Sequence, residues 1–162
     1  MAYAIRPFLD SDAEALSAIL RGAIAIIGPT AYSVEQVAAW SARAPTPQRF
    51  RDSATAGIKI IVATDASNQP VAYALLEPDG HLDHLYCHPE HTRQGLAEQL
   101  LVNAEQIAAS AGVSRLYTEA SELARSAFER AGYSVTHRRN FDIQHLGKAV
   151  AIHNYAMEKL LG

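Results

Sequence analysis

Between Ile58 and Cys87 the chain carries three short apolar runs separated only by turn-forming residues, and this stretch constrains the fold most. Ile58–Thr64 (IKIIVAT) is β-branched, Val71–Leu76 follows Ser67-Asn-Gln-Pro70, and His81–Cys87 follows Pro78-Asp79-Gly80. β-Branched side chains suit a pleated, half-buried surface, and Pro-Asp-Gly supplies the backbone angles of a tight turn. Parallel neighbours would need a crossover of about a dozen residues or more. These connections are too short for that, so the spacing predicts an antiparallel meander.

On both sides of the meander the hydrophobic period lengthens to that of helices. Tyr3–Phe8 reads as a short strand stopped near Pro7. Ser11-Asp-Ala-Glu14 has the spacing of a capping box, and Leu16, Ile19 and Leu20 then share one helical face. Ser33-Val-Glu-Gln36 repeats the device, with Tyr32 and Val37 spaced for its hydrophobic staple. That helix stops near Ala42, because Ala44-Pro45-Thr46-Pro47 cannot continue it. Thr46 and Pro47 open a short third helix ending at Gly57. Beyond Cys87 a helix runs from about Gly95 to Ser110, its stripe being Leu96, Leu100, Leu101, Ala104, Ile107 and Ala108. Arg115–Thr118 reads as strand, Ser121–Ala131 as helix, and Tyr133–Arg138 and Ala149–Met157 as the last strands. The order predicts an α/β (α+β) single domain over residues 1–162, a mixed, mostly antiparallel sheet with helices on both faces.

Charge and cysteine content narrow the function classes. Lys+Arg 14 against Asp+Glu 17 gives a net charge of −3, and 49% hydrophobic with 19% charged residues is ordinary globular composition. Near-neutral charge removes the counterion-release term behind non-specific nucleic-acid binding, and His137-Arg138-Arg139 is too small a cluster to restore it. The single Cys87 excludes an internal disulfide and a structural zinc site of several thiolates. No apolar run, Ala23–Ile27 before Gly28-Pro29 among them, approaches the length of a membrane span, and the N-terminus lacks the basic and apolar regions of a signal peptide. The expectation is a cytoplasmic protein engaging neither nucleic acid nor membrane; a homodimer is compatible with the sequence.

The chemistry concentrates in His81–Leu101, HLDHLYCHPEHTRQGLAEQLL. A strand, a polar loop and a helix opening at glycine leave backbone N–H groups unpaired at one spot, with the positive end of the helix dipole behind them. A pyrophosphate fits such a nest. Gly95 lets the loop backbone approach a phosphate, Ala97 keeps the helix start uncrowded, and Arg93 adds positive charge. A plain loop-to-helix connection would carry the same residue types.

The segment resembles motif A of the GNAT superfamily of N-acetyltransferases, whose signature is Gln/Arg-x-x-Gly-x-Gly/Ala after a strand and a proline. Thr92-Arg93-Gln94-Gly95-Leu96-Ala97 matches at Gly95 and Ala97 and departs at Thr92, where Gln or Arg is usual. The likeness extends along the chain. Ile5-Arg6-Pro7 with Asp10-Ser11-Asp12-Ala13 is similar to the family's opening, and Asn154-Tyr155-Ala156-Met157-Glu158-Lys159 to a frequent last strand. Ala124-Arg-Ser-Ala-Phe128-Glu129-Arg-Ala-Gly132-Tyr133 resembles its later helix. The resemblance implies acetyl-CoA as cofactor and acyl transfer to an amine of a small-molecule or amino-acid-like acceptor. It also implies that backbone at Leu85, Tyr86 and Cys87 faces the acetyl and pantetheine units. The cradle for the pyrophosphate is then Thr92, Arg93, Gln94, Gly95, Leu96 and Ala97. Ser121, Arg125 and Phe128 flank the pantetheine arm, with Arg125 placed to approach a phosphate. Phe128 stands where many members carry a Tyr that protonates the departing thiolate, so Ser121 or Ser126 must serve or no acid is needed.

For the base, His81, Asp83, Leu85 and Cys87 share one strand face, with His81 and Asp83 about 6.6–7 Å apart. Some family members carry a catalytic Glu or His at the position of His81. A neutral imidazole accepts a proton near physiological pH, and Asp83 would raise its basicity. Glu77 and Glu119 are rivals. His81, His84, Cys87, His88 and His91 crowd together, but His84 and His88 lie roughly 13 Å apart on a strand, too far to share one ion. The expectation is no metal, although His81 with Asp83 and a third ligand stays open. Cys87 fits a buried apolar position better than a nucleophile, which favours direct transfer. Tyr32, Trp40 and Phe50 lie in the region that lines the family's acceptor site, and are equally suited to the core. Phe128 and Thr92 also motivate an alternative, a non-catalytic acyl-CoA-binding or sensing domain on the same fold.

Overall fold

Alternation along the meander decides which helix each strand meets. The computed structural model describes residues 2–162. Strands β1 (Ala4–Pro7), β2 (Lys59–Thr64), β3 (Pro70–Leu76) and β4 (Leu82–Cys87) form one antiparallel sheet in that order. Ile60 and Val62 of β2 and Tyr73 and Leu75 of β3 face one side, against Leu16, Leu20 and Ile24 of α1 (Ala13–Ile27) and Phe50 of α3 (Pro47–Thr55). Ile61, Ala63, Ala72 and Ala74 face the other side, against Leu96, Leu100, Leu101 and Ala104 of α4 (Leu96–Ser110). Burial on both faces explains why β2 and β3 read as nearly unbroken apolar runs.

With its flanking turns, α1 spans Asp10–Thr30 at a mean hydropathy of 1.3, long and apolar enough by length and composition to cross a membrane. Its Ala13, Leu16, Ile19, Leu20 and Ile24 are instead buried against the sheet. Each such Leu or Ile stabilises the fold by about 1.5–3 kcal/mol. The expected Ser11–Glu14 capping box does not form. A 3-10 turn at Asp10–Asp12 precedes the helix, and Asp12 accepts from Leu9 N at 2.7 Å while taking both Arg6 Nη1 and Nη2. An arginine fork outcompetes the serine, and Glu14 turns outward to Arg51. The second box does form at the start of α2 (Val34–Ser41): Gln36 N donates to Ser33 Oγ and Ser33 N to Gln36 Oε1.

The second sheet holds β5 (Arg115–Ala120), β7 (Lys148–Leu160) and β6 (Ser134–His145), ordered β5-β7-β6 and antiparallel. Here the expectation fell short in length. β6 continues seven residues past Arg138, and β7 begins one before Ala149 and runs on to Leu160. Leu146 and Gly147, both at positive φ, close the two into one long hairpin. α5 (Arg125–Arg130) is also shorter than the span Ser121–Ala131, because Ser121 Oγ accepts from Ala124 N and caps a preceding turn.

The two sheets meet at one point. His81 forms an isolated parallel bridge with Tyr117, Tyr117 N donates to Gly80 O at 3.1 Å, and Thr118 Oγ1 donates to Leu82 O at 2.7 Å. A Cβ at Gly80 would stand 2.2 Å from Arg115 O, so only glycine admits this approach. No residue of β4 beyond this junction pairs with β5, and a cleft opens between the two strands.

Candidate active site

Two cavities occupy the cleft. The wider, about 490 Å³, is lined by Asp83, His84, Glu119, Trp40, Tyr32 and Arg139 among others. The narrower, about 170 Å³, runs past Cys87, Thr92, Ala97 and Ala127. Both share Trp40, Leu85, Tyr86, Ser121 and Ala124. Leu85 and Tyr86 therefore line the junction of a narrow channel, leading past Cys87 towards α4, with a broad chamber. Their backbone groups on the β5 side are freed by the divergence of the strands.

At the channel's end, the loop before α4 has the nest-forming shape. Arg93 at φ +60 and Gly95 at φ +77 both take the left-handed conformation. No side chain caps the helix, so its first N–H groups face outward with the dipole behind them. A Cβ on Gly95 would meet nothing within 4 Å. Open space in front of an uncapped helix start accommodates a pyrophosphate, so these residues fit coenzyme A. Thr92 Oγ1 is turned back to Pro89 O at 3.3 Å, and the Leu96 side chain is buried in the core, so Leu96 offers only its backbone. Arg125 lies 4.4 Å over the Tyr155 ring and pairs with Glu129, and it lines neither cavity.

His81 sits at the closed end of the splay rather than in the chamber. Its Nδ1 meets Glu77 Oε1 at 2.5 Å, its Nε2 meets Glu119 Oε1 at 2.8 Å, and its ring stacks on Tyr117 at 4.7 Å. The hydrogen bond to Glu119, opposed by burial and aided by Glu77, lifts the imidazole to about 9. At neutral pH it is a cation donating from both nitrogens, with no lone pair for a substrate proton or a metal. This differs from the expected neutral base. The proton is held because two carboxylates, not one, flank the ring. Ligand atoms of Glu77, His81 and Asp83 lie within 4.8 Å of one another, but the imidazole's two nitrogens are already committed. Glu119 does line the chamber, and the same hydrogen bond, against burial, holds its carboxyl below the usual range. Asp83 lines it too, nearly half exposed.

The remaining candidates separate by position. Burial pushes the Cys87 thiol up to about 11, and its Sγ donates to His91 O at 3.3 Å. Phe128 is buried edge-on against Tyr133 at 5.0 Å and forms part of the chamber wall. Ser121 lines both cavities, whereas Ser126 is exposed and lines neither. Tyr32 and Trp40 pack edge to face at 5.5 Å on the chamber, while Phe50 belongs to the core. The histidines are dispersed: His84 Nδ1 pairs with the Tyr73 hydroxyl and His91 Nδ1 with Tyr3, while His88 Nδ1 accepts from Glu90 N.

One wall escaped the sequence reading. Arg139, Phe141, Ile143, Ile152, His153 and Asn154 reach the chamber from the long hairpin. His153 Nε2 and the Tyr155 hydroxyl both bond Glu122 Oε2, and Glu122 N donates to Tyr32 Oη, tying hairpin to α2 side. The available signal was the alternation Phe141, Ile143 before Leu146-Gly147.

A splayed sheet with an uncapped helix start, open to a pyrophosphate, beside the splay fits an acyl-coenzyme A-dependent transferase. Residues 29–146 match the family model described as Acetyltransferase (GNAT) domain, and the chain belongs to that family. The uncharacterized N-acetyltransferase YafP of Escherichia coli is 27% identical over 141 residues, 85% of each chain. A structure from Rhodopseudomonas palustris, titled GCN5-related N-acetyltransferase: aminotransferase, class-II, superposes with TM-score 0.84 at 31% identity, covering 99% of this chain and 97% of that one. The PaiA N-acetyltransferase of Thermoplasma acidophilum, solved with coenzyme A, gives TM-score 0.78 at 19% identity over 99% of each chain. Other neighbours hold acetyl-CoA, the family's cofactor.

Proposed function

We propose that the chain is an N-acetyltransferase that moves the acetyl group of acetyl-CoA directly to a primary amine of a small-molecule or amino-acid-like acceptor. The observation that carries this reading is the junction at Leu85, Tyr86 and Ser121, where the coenzyme channel enters a chamber holding Asp83 and Glu119. When bound, acetyl-CoA supplies a thioester whose acyl carbon accepts a nitrogen lone pair. The protein's tasks are to hold the ammonium, take its proton and exclude water. Asp83 and Glu119 attract the ammonium. Glu119 accepts the proton at Oε2, which has no partner among the described residues, while His81 keeps Oε1 oriented. His81 is thus a positioning residue, and its expected role as base passes to Glu119. A buried thiol this weakly acidic favours direct transfer over an acyl-Cys87 route. The departing thiolate needs no strong acid; Ser121, whose Oγ already accepts from Ala124 N, retains its O–H for that end.

Thiol release from acetyl-CoA across a panel of amines tests the reading. Glu119→Gln should lower kcat/KM by roughly 10²–10⁴, the usual contribution of a positioned acid–base group, with coenzyme affinity unchanged. Clear coenzyme binding without acceptor-dependent release from any amine would favour the sensing domain that Phe128 and Thr92 suggest.

A further inference from the structure

The hairpin wall of the chamber carries a cation that proton transfer does not use. Arg139 is half-buried, donates from Nη1 to Asn154 Oδ1 at 3.0 Å, and lies 5.2 Å over the Phe141 ring. Every other arginine that is not exposed has a carboxylate: Arg6 has Asp12, Arg51 has Glu14, and Arg125 has Glu129. Among the described residues, Arg139 alone is withdrawn from solvent without one. A guanidinium partly removed from water and lacking an anion is costly to keep, and its fork of donors matches a carboxylate.

Glu119, on the other strand flanking β7 in the same sheet, lines the same chamber, and the charge of Arg139 helps hold its carboxyl low, yet the two form no ion pair. Opposite charges that face one cavity without meeting are what a zwitterion bridges. An ammonium neutralises Glu119 while an adjacent anion takes the free donors of Arg139. A simple alkylamine would leave Arg139 unpaired, and a polyamine or lysine-rich peptide would bring like charge against it. Arg43 also lines the chamber but is exposed, and water satisfies it.

Resting on the transferase reading above, we propose that the acceptor is a small amino acid or similar zwitterion, whose anionic group is read by Arg139. The test pairs each free amino acid with its carboxamide, which keeps the amine and removes the anion, in thiol release from acetyl-CoA. The wild type should prefer the acid by tenfold or more in kcat/KM, although the amide's less basic nitrogen is the more readily deprotonated. Arg139→Gln should raise KM for the acid at least tenfold, change kcat less and leave the amide alone. Arg139→Lys should restore part of the preference, and coenzyme affinity should be unchanged in both variants. Equal use of acid and amide by the wild type, or a preference that survives in Arg139→Gln, overturns the proposal. If no amine is turned over although coenzyme binds, the transferase reading fails by itself. Calorimetry of the same pairs with coenzyme A-loaded protein then decides. Saturable binding of an acid but not its amide, lost in Arg139→Gln, supports the zwitterion site, and equal or absent binding overturns it.

Discussion

His81 gains a proton on folding, and that gives stability a pH signature. The unfolded imidazole titrates near 6.5, and the folded one, between Glu119 and Glu77 with Asp83 nearby and Tyr117 stacked on it, near 9. Its contribution is fully present below pH 6.5 and is lost as the pH rises through 9. Glu77 and Glu119 are each about a third exposed, so solvent screens the array, and the contribution is on the order of 2 kcal/mol. Urea unfolding of the wild type and His81→Gln should show a gap of that size at pH 6 that narrows towards pH 10. A gap independent of pH would mean that packing on Tyr117, not charge, is what the substitution removes. The sequence brought His81 and Asp83 together, but it missed the proton and the bulge at Asp83, which turns Leu82 instead to the face of Leu85 and Cys87. Strand alternation is local, whereas Glu119 arrives from another sheet, through a bridge that no pattern within His81–Leu101 announces. Arg139 was hidden for a related reason: beside His137 and Arg138 it resembles a solvated cluster, and only the hairpin's path turns it inward.

Elements with strong punctuation were readable to within a residue or two, and those without were not. Pro47 at the first turn of α3, Gly57 beyond its end and Ser33 with Gln36 at α2 fix their boundaries by local chemistry. β6 and β7 lack such marks, since Arg138–His145 mixes charged and apolar residues along a strand whose two faces are covered unequally. The two glycines at the ends of the site make opposite predictions. At Gly95, φ +77 and open space mean that Gly95→Ala costs about 1 kcal/mol of strain and nothing in steric clash. Gly95→Asp adds a carboxylate in front of the helix start, so acetyl-CoA should no longer raise the melting temperature, while the unliganded protein stays folded. Unchanged stabilisation by acetyl-CoA would remove the pyrophosphate from this loop. At Gly80 the obstacle is backbone: Gly80→Ala must push Arg115 O away, separating β4 from β5. A drop in unliganded melting temperature larger than that of Gly95→Ala is the expected result, and equal losses would show that the junction yields easily.

Across the whole molecule the two sheets are unequally supported. The β1–β4 sheet has a core on each face, whereas the β5-β7-β6 sheet shares the α4 core and otherwise holds the smaller cluster of Tyr32, Ala39, Ile143, Val150 and Ile152. Between β4 and β5 the backbone is joined only around His81 and Tyr117. The channel proposed for the coenzyme is built from both sides of that seam, with Leu85, Tyr86 and Cys87 on one bank and Ser121, Ala124 and Ala127 on the other. A ligand held by both banks stabilises their contact, and the sheet with less support of its own gains more of that stabilisation. At acetyl-CoA near 100 times its dissociation constant the available stabilisation is about 2.7 kcal/mol, or roughly a hundredfold in opening equilibria. Hydrogen exchange should therefore slow by up to that factor in β5 and β7 on adding acetyl-CoA, with smaller changes in β2 and β3. Protection confined to residues 85–97 would mean that the coenzyme rests on one bank alone, and that the opposite wall does not hold it.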